Sequence, residues 1–211
     1  MSSAEGSPGR TITTLSSREV YRNPWMRVRE DEILRSNGQR GIFGVVEKDD
    51  AAIILPIDHG RVWLVEQFRY SIEERALELP QGGWEMEVHS PEELARGELK
   101  EELGLHAAEM TYLGWLWIAY GFANQKQHVF LATGLTPTEK EPDPEEHDLV
   151  AHSVPVEEFE QMMGMTSPAP ALHSGALPIF FAALSAKHLD GVLTHFYVYT
   201  SDFDGQKARS A

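Results

Sequence analysis

The chain has 211 residues, with 18 Lys and Arg against 33 Asp and Glu, a formal charge of −15 and 42% hydrophobic residues. That apolar content excludes a disordered chain, and the acid excess excludes a function resting on a basic face for nucleic acid or anionic membrane. A phosphate-bearing small molecule stays open, provided that Arg, Lys or a bound metal supplies a local cation.

The absence of cysteine removes disulfides, Cys-based zinc sites and thiol catalysis, and fits a reducing, cytoplasmic compartment. The opening residues, MSSAEGSPGR, lack the apolar core of a signal peptide. Between Glu160 and Lys187 lie 26 residues without Asp, Glu, Lys or Arg. Gly164, Pro168, Pro170, Gly175 and Pro178 interrupt them, so they read as a loop followed by a buried helix rather than a membrane span.

In chain order, residues 1–18 are rich in Ser, Thr and Gly and read as a flexible tail. Trp25–Arg35 and Ile42–Glu47 are strand-like runs around Ser36-Asn37-Gly38, where Asn-Gly signals a tight hairpin. Ala51–Ile57 and Arg61–Arg69 form a second pair around Asp58-His59-Gly60, and further strands are expected at Met110–Ala119 and Gln127–Thr133. Ser90-Pro91-Glu92-Glu93 places Ser at the N-cap, Pro at N1 and Glu at N3, and Gly104 supplies a stop, so a helix is expected over Pro91–Leu103. Pro155–Met163 and Leu177–Leu189 are the other expected helices, and Glu139–Asp148 reads as a solvated acidic loop. Strands, a helix, more strands and then helices suit one mixed α/β sandwich better than repeated βαβ units. There is no Gly-rich dinucleotide fingerprint, Walker loop or His-Glu-x-x-His.

The expected helix breaks ordinary helix design. Glu98, Glu101 and Glu102 fall within roughly 100° of one face, beside a face carrying Ala95, Leu99 and Leu103. The carboxylates occupy the last two turns, where the helix dipole disfavours acids by about 0.3–1 kcal/mol each, and Glu98 and Glu102 repel by a further ~0.2–0.5 kcal/mol. A divalent cation reverses the sign of these terms. Mg²⁺ uses one or two carboxylates and completes its shell with water and phosphate. A solvated acidic face is the competing reading.

Just before the helix, Leu79-Pro80-Gln81-Gly82-Gly83 brings a strand end into a Gly-Gly turn that allows close backbone approach to a ligand. The segment Gly83–Leu105 resembles the Nudix box, with Gly83, Glu98, Leu99, Glu101, Glu102, Gly104 and Leu105 holding seven of its nine fixed positions. His89 replaces the first Glu and Gly97 replaces the Arg. An Arg at 97 could hold Glu101 across one turn, Arg96 points about 100° away, and a helical Gly costs about 0.8–1 kcal/mol relative to Ala, so a packing reason for Gly97 is expected. Loss of the carboxylate at His89 implies weaker metal binding.

The resemblance extends over most of residues 19–190. Val20-Tyr21-Arg22-Asn23-Pro24-Trp25, Val65-Glu66-Gln67-Phe68-Arg69-Tyr70, Leu77-Glu78-Leu79-Pro80 and Gly121-Phe122-Ala123-Asn124-Gln125 resemble the ADP-ribose pyrophosphatase branch, although its proline some fifteen residues past the box is absent. This likeness implies an α+β Nudix fold, an α/β/α sandwich with a mixed sheet, plus an N-terminal antiparallel strand region. It divides the chain into a tail (1–18), a dimer-forming strand region (19–48), the Nudix domain (49–192) and a C-terminal extension (193–211).

The implied function is metal-dependent hydrolysis of the diphosphate bond of a nucleoside diphosphate sugar such as ADP-ribose, giving nucleoside monophosphate and sugar phosphate. The alternative is a catalytically weak Nudix-fold ligand-binding or regulatory module. The resemblance assigns Glu98, Glu101, Glu102 and the Gly82 carbonyl to metal, Mg²⁺ or Mn²⁺ in its place, and Arg69 to substrate phosphates. The catalytic carboxylates are Glu101 and Glu102 on the helix and Glu145 and Glu146 on the acidic loop, with Glu102 and the loop pair competing as general base. Implied partners are the small-molecule substrate and a second copy in a homodimer, with no nucleic acid and no membrane. Trp84, Trp115, Trp117, Tyr120 and Phe122 could stack on a nucleobase, but aromatic residues at these spacings more often fill a core, which is the reading expected here. The nine histidines, His128 and His147 among them, show no metal-ligand spacing.

Overall fold

The computed structural model describes residues 11–84, 90–140 and 147–162, except the side chain of Glu160. The chain divides into two compact units, one running to Asp50 and including Trp117–Lys126, the other comprising Ala51–Leu116 and the chain from Gln127 onward.

The first unit is built on an antiparallel sheet of β1 (Ile12–Arg22), β2 (Arg27–Arg35) and β3 (Arg40–Glu47). The expected Asn-Gly turn joins β2 to β3. Gly38 takes φ +82°, its N–H donates to the Arg35 carbonyl at 2.9 Å, and the Asn37 side-chain oxygen accepts from the Gln39 N–H at 3.1 Å. The flexible tail expected over 1–18 is corrected here, because β1 already begins at Ile12 and pairs with β2 from Ile12↔Arg35 onward. Ile12-Thr13-Thr14 is β-branched, and pairing with β2 outweighs the polar composition that suggested a tail. Segment 117–126 belongs with this unit through backbone bonds from Val46 N–H to the Phe122 carbonyl (2.8 Å) and from Asn124 N–H to the Val46 carbonyl (3.1 Å).

The second unit holds a seven-stranded mixed sheet in the order β10-β5-β4-β9-β8, with β6 added to β5 and β7 to β4. Its strands are β4 (Ala51–Asp58), β5 (Arg61–Arg69), β6 (Glu74–Glu78), β7 (Gln81–Gly83), β8 (Leu105–Trp117), β9 (Lys126–Pro137) and β10 (Val150–Pro155). Pairing of β4 with β9 is parallel, which makes the sheet mixed. Seven consecutive residues of β4, Ala51–Ile57, are buried, because both faces of the sheet are covered.

Alternation along the strands sorts the core into two clusters. Ile53, Leu55, Val62, Leu64, Val129 and Leu131 pack with Phe159 of α2 (Val156–Met162). Ala52, Ile54, Phe130 and Ala132 pack with Leu94, Ala95 and Leu99 of α1 (Pro91–Leu103). Each fully buried Leu or Ile contributes about 1.5–3 kcal/mol relative to exposure. The result is the expected sandwich.

Helix α1 has the expected bounds. Ser90 Oγ accepts from the Glu93 N–H at 3.1 Å, Pro91 occupies the first turn, and Gly104 ends the helix at φ +63° with its N–H on the Leu99 and Lys100 carbonyls. The helix expected at Leu177–Leu189, the C-terminal extension and most of the uncharged stretch lie outside the described residues. Among the described residues no helix is long and apolar enough to cross a membrane.

Candidate active site

The site is laid out by a split in the sheet. Strands β4 and β5 pair only beside their turn, at Ile57↔Val62 and Asp58↔Arg61, and then diverge. The chain from Glu74 to Gly83 fills the gap, with β6 pairing to β5, the Pro80 carbonyl accepting from the Ile54 N–H at 2.9 Å, and β7 pairing to β4. Packing of α1 against β4 and β7 sets its acidic residues beside the Gln81-Gly82-Gly83 backbone.

Glu102 is 1% exposed, and its Oε2 accepts from the Gln81 backbone N–H at 3.1 Å. One turn earlier, Glu98 places its carboxylate against Gly82, where a Cβ would overlap it. This is the physical demand for glycine at position 82. Glu101 is half-buried, and its Oε1 lies 3.8 Å from where a Cβ of Gly97 would stand. Glu98 and Glu102 thus both meet β7, while Glu101 reaches back along its own helix. The three do not form a closed chelate, since no group of three acidic or histidine side chains among the described residues could hold an ion unaided.

That arrangement suits a hard, hydrated cation. Mg²⁺ draws on one or two carboxylates and leaves the rest of its shell to water and phosphates, unlike Ca²⁺ or Zn²⁺ in all-protein cages. Oxygen-only donors at Glu98, Glu101, Glu102 and the Gly82 carbonyl, with Gly82 keeping the Glu98 carboxylate close to the backbone, fit this chemistry.

Arg69, at the end of β5, is an ion-pair partner of Glu78 on β6. Its Nε lies 3.0 and 3.2 Å from the two carboxylate oxygens, and its Nη2 also bonds Oε2. The Glu78 side chain is 7% exposed and that of Arg69 34%, so the pair sets a partly accessible guanidinium on a buried base. Glu78 Oε2 also accepts from Gln81 Nε2 at 3.1 Å, and Gln81 Oε1 accepts from Gln127 Nε2 at 2.7 Å. Sequence reasoning assigned no role to Glu78, Gln81 or Gln127. A signal for Glu78 exists, because it is an acid between Leu77 and Leu79 at the end of a strand; the two glutamines carry none.

A second ionic cluster joins β5, β6 and the start of β10. Arg75 bonds Glu66 and reaches Asp148 Oδ2 at 2.9 Å, His152 Nε2 lies 3.1 Å from Glu66, and Asp148 accepts from the Phe68 N–H at 3.1 Å. The Arg75 hydrogen bond holds the Glu66 carboxyl below the usual carboxylate range. Asp148 is lowered first by the Phe68 N–H and then by Arg75. Asp148 is therefore anchored to β5, correcting its assignment to a solvated loop. Glu145, Glu146 and His89 lie outside the described residues.

Other expectations fare unevenly. Among the described residues a Cβ at Gly97 would meet only Glu101 Oε1, at ordinary contact distance, so they supply no packing reason for this glycine. Arg96 turns away as expected, to Glu92 Oε1 (3.0 Å) and the Ala107 carbonyl (2.9 Å). Trp84 packs against the core, but Trp115, Trp117, Tyr120 and Phe122 are exposed, which corrects their assignment to core. Trp115 and Trp117 lie on β8, at the sheet edge, and Lys126 sits 5.4 Å over the Trp117 ring. His128 Nδ1 lies 3.1 Å from the Tyr112 hydroxyl, a local contact.

Comparison with known proteins agrees with this geometry. Residues 47–174 match the NUDIX domain, and residues 12–46 match the nucleoside diphosphate sugar hydrolase N-terminal domain. An ADP-ribose pyrophosphatase of Mycobacterium tuberculosis is 33% identical over 147 residues, 69% of this chain and 71% of that protein. An ADP-ribose pyrophosphatase of Bacillus subtilis is 28% identical over 138 residues, 65% of this chain and 74% of that protein. A Bacillus methanolicus methanol dehydrogenase activator is 26% identical over 138 residues, again 65% and 74%. A solved structure described as an ADP compounds hydrolase superposes with a TM-score of 0.74 at 22% identity, covering 89% of this chain and all of that one, and shares the fold. Enzymes of this family generally work with divalent metal ions. With the box on α1, Gly82 beneath Glu98 and the domain match over more than half its length, the chain belongs to the Nudix hydrolases, as a pyrophosphohydrolase related to the ADP-ribose pyrophosphatases.

Proposed function

We propose that the protein hydrolyses the diphosphate bond of a nucleoside diphosphate sugar such as ADP-ribose, with Mg²⁺ or Mn²⁺, releasing nucleoside monophosphate and sugar phosphate. The observation that carries this reading is the meeting of Glu98 and Glu102 of α1 with β7, with Glu78 linking β7 to Arg69. The names of the relatives support the substrate class.

In this reading Glu98, Glu101, Glu102 and the Gly82 carbonyl hold the metal, which when bound neutralises diphosphate charge and lowers the pKa of the attacking water. Arg69, held in one orientation by Glu78, contacts a phosphate oxygen as a fork-shaped donor. Gln81 N–H keeps the Glu102 carboxylate oriented. Because Glu102 is 1% exposed and already accepts that N–H, a water molecule reaches it poorly, and its part is to hold rather than to take a proton. The proton of the attacking water passes instead to Glu145 or Glu146.

The exposed apolar side chains of the three-stranded sheet, Leu15, Val20 and Tyr21 on β1 with Ile42 and Phe43 on β3, support a homodimer formed through this region. Absence of cysteine suits work in the cytoplasm.

The test is turnover of a panel of nucleoside diphosphate sugars with Mg²⁺, with Glu101→Gln and Glu102→Gln as controls. Cleavage lost in both controls is expected. Binding without turnover of any member would instead identify a ligand-binding module. Near-normal rates in Glu145→Gln, Glu146→Gln and the double variant would eliminate the loop base.

A further inference from the structure

The carboxylate of Glu102 and the guanidinium of Arg69 belong to different elements, and one residue touches the machinery of both. Gln81 donates its backbone N–H to Glu102 Oε2 at 3.1 Å and its side-chain amide to Glu78 Oε2 at 3.1 Å, and Glu78 in turn grips Arg69. We infer that the Gln81 side chain is a positioning residue that fixes Arg69, through Glu78, for the diphosphate. This inference rests on the proposed role of Arg69 in holding phosphate.

The direction of each amide follows from chemistry. Glu78 is buried and, ionised against Arg69, can only accept hydrogen bonds. Gln81 must therefore turn Nε2 toward it, which leaves Oε1 facing Gln127. Gln127, 6% exposed, must then present its own Nε2, and it does so at 2.7 Å. A chain of two amide donors thus runs one way, from the interior of β9 through β7 to β6, and ends on the carboxylate that holds the arginine. Reversing either amide would set oxygen against oxygen in a poorly solvated place, where an unmet acceptor is costly. Gln81 thereby removes the rotational freedom that Glu78, and hence Arg69, would otherwise have to lose on binding substrate.

The test uses Gln81→Met, which keeps side-chain length and the backbone N–H to Glu102 but deletes the amide. A non-hydrolysable α,β-methylene analogue of ADP-ribose is titrated calorimetrically into metal-free protein, and steady-state constants are measured with Mg²⁺. The expected result is affinity weaker by about tenfold and KM raised by a similar factor, with kcat within about threefold of the parent. In an Arg69→Ala background Gln81→Met should add little, because both act on one contact.

In the ligand-free protein the Arg69 Nε–H resonance, held by Glu78 in the parent, should exchange faster with solvent in Gln81→Met. Should that variant not fold, Gln127→Leu interrupts the same chain from its other end, with the same direction expected in each measurement. Unchanged affinity together with unchanged Arg69 exchange overturns the positioning role. If the parent protein binds no diphosphate analogue, the proposed function fails, and the Arg69 resonance still decides whether Gln81 orders the arginine.

Discussion

The Glu98 carboxylate occupies the space that a side chain at Gly82 would need. A residue from a helix and a backbone from a strand therefore share one volume, and the absent Cβ is what allows an acidic side chain to rest on the Gly82 backbone. Gly82→Ala should displace Glu98. Because the overlapped atoms are the far end of a flexible side chain, the fold should persist with a stability loss of no more than about 1 kcal/mol. Activity should fall by about a hundredfold, the scale of a misplacement of one ångström. Thermal unfolding and turnover measured together check this, and normal turnover would remove Gly82 from the site.

Glu102 separates charge from structure. In Glu102→Gln the amide oxygen can still accept the Gln81 N–H, so stability should change little while turnover drops by at least about a hundredfold. Glu102→Leu should lose activity equally and also destabilise by about 1–3 kcal/mol, because it leaves that N–H unmet. Denaturant unfolding of both variants distinguishes the two effects.

Gly97 lies inside the continuous helix α1, and among the described residues it has no steric reason to be glycine. Gly97→Ala should therefore stabilise the protein by about 0.8–1 kcal/mol, raising Tm by about 2–4 °C, with turnover unchanged. A melting curve suffices, and a fall in Tm would show that the glycine meets a need the helix geometry does not reveal.

The Glu66–Arg75–Asp148 cluster sets a pH dependence. Both carboxyls are lowered in the folded protein, Glu66 chiefly by Arg75 and Asp148 chiefly by the Phe68 N–H with Arg75 second. A lowered folded pKa contributes stability that is present above the unfolded value, about 4, and is lost as pH falls through the folded value. Arg75→Ala should therefore be less stable than the parent at pH 7, with the gap closing as pH falls below about 4. Urea unfolding across that range measures the gap, and a constant difference would assign Arg75 a role in packing alone.

Chelation of divalent metal should abolish turnover and Mg²⁺ should restore it. With His89 and Gly97 in place of two box residues, the rate should continue to rise with Mg²⁺ through physiological free concentrations. Saturation well below them would show that the altered box binds metal normally.

Short-range chemistry was readable from residue order. Ser90, Pro91 and Gly104 act within one turn of themselves, so the bounds of α1 follow from local hydrogen bonding, and Asn37-Gly38 dictates its own hairpin. The spacing of Glu98, Glu101 and Glu102 marked the acidic helix and, by resemblance, the family. Contacts between elements distant in the chain were not readable. Divergence of β4 from β5, the insertion of β6 and β7 between them, and the meeting of Gln127 with Gln81 depend on strand pairing across tens of residues. A glutamine carries no periodic signal announcing its partner. The same limit explains β1, where polar composition suggested a tail until pairing with β2 supplied its hydrogen bonds. Position along one helix turn is a property of the sequence, whereas Glu98 resting on Gly82, and Gln81 serving Glu78 and Glu102 together, exist only once the sheet has brought those segments within a few ångströms.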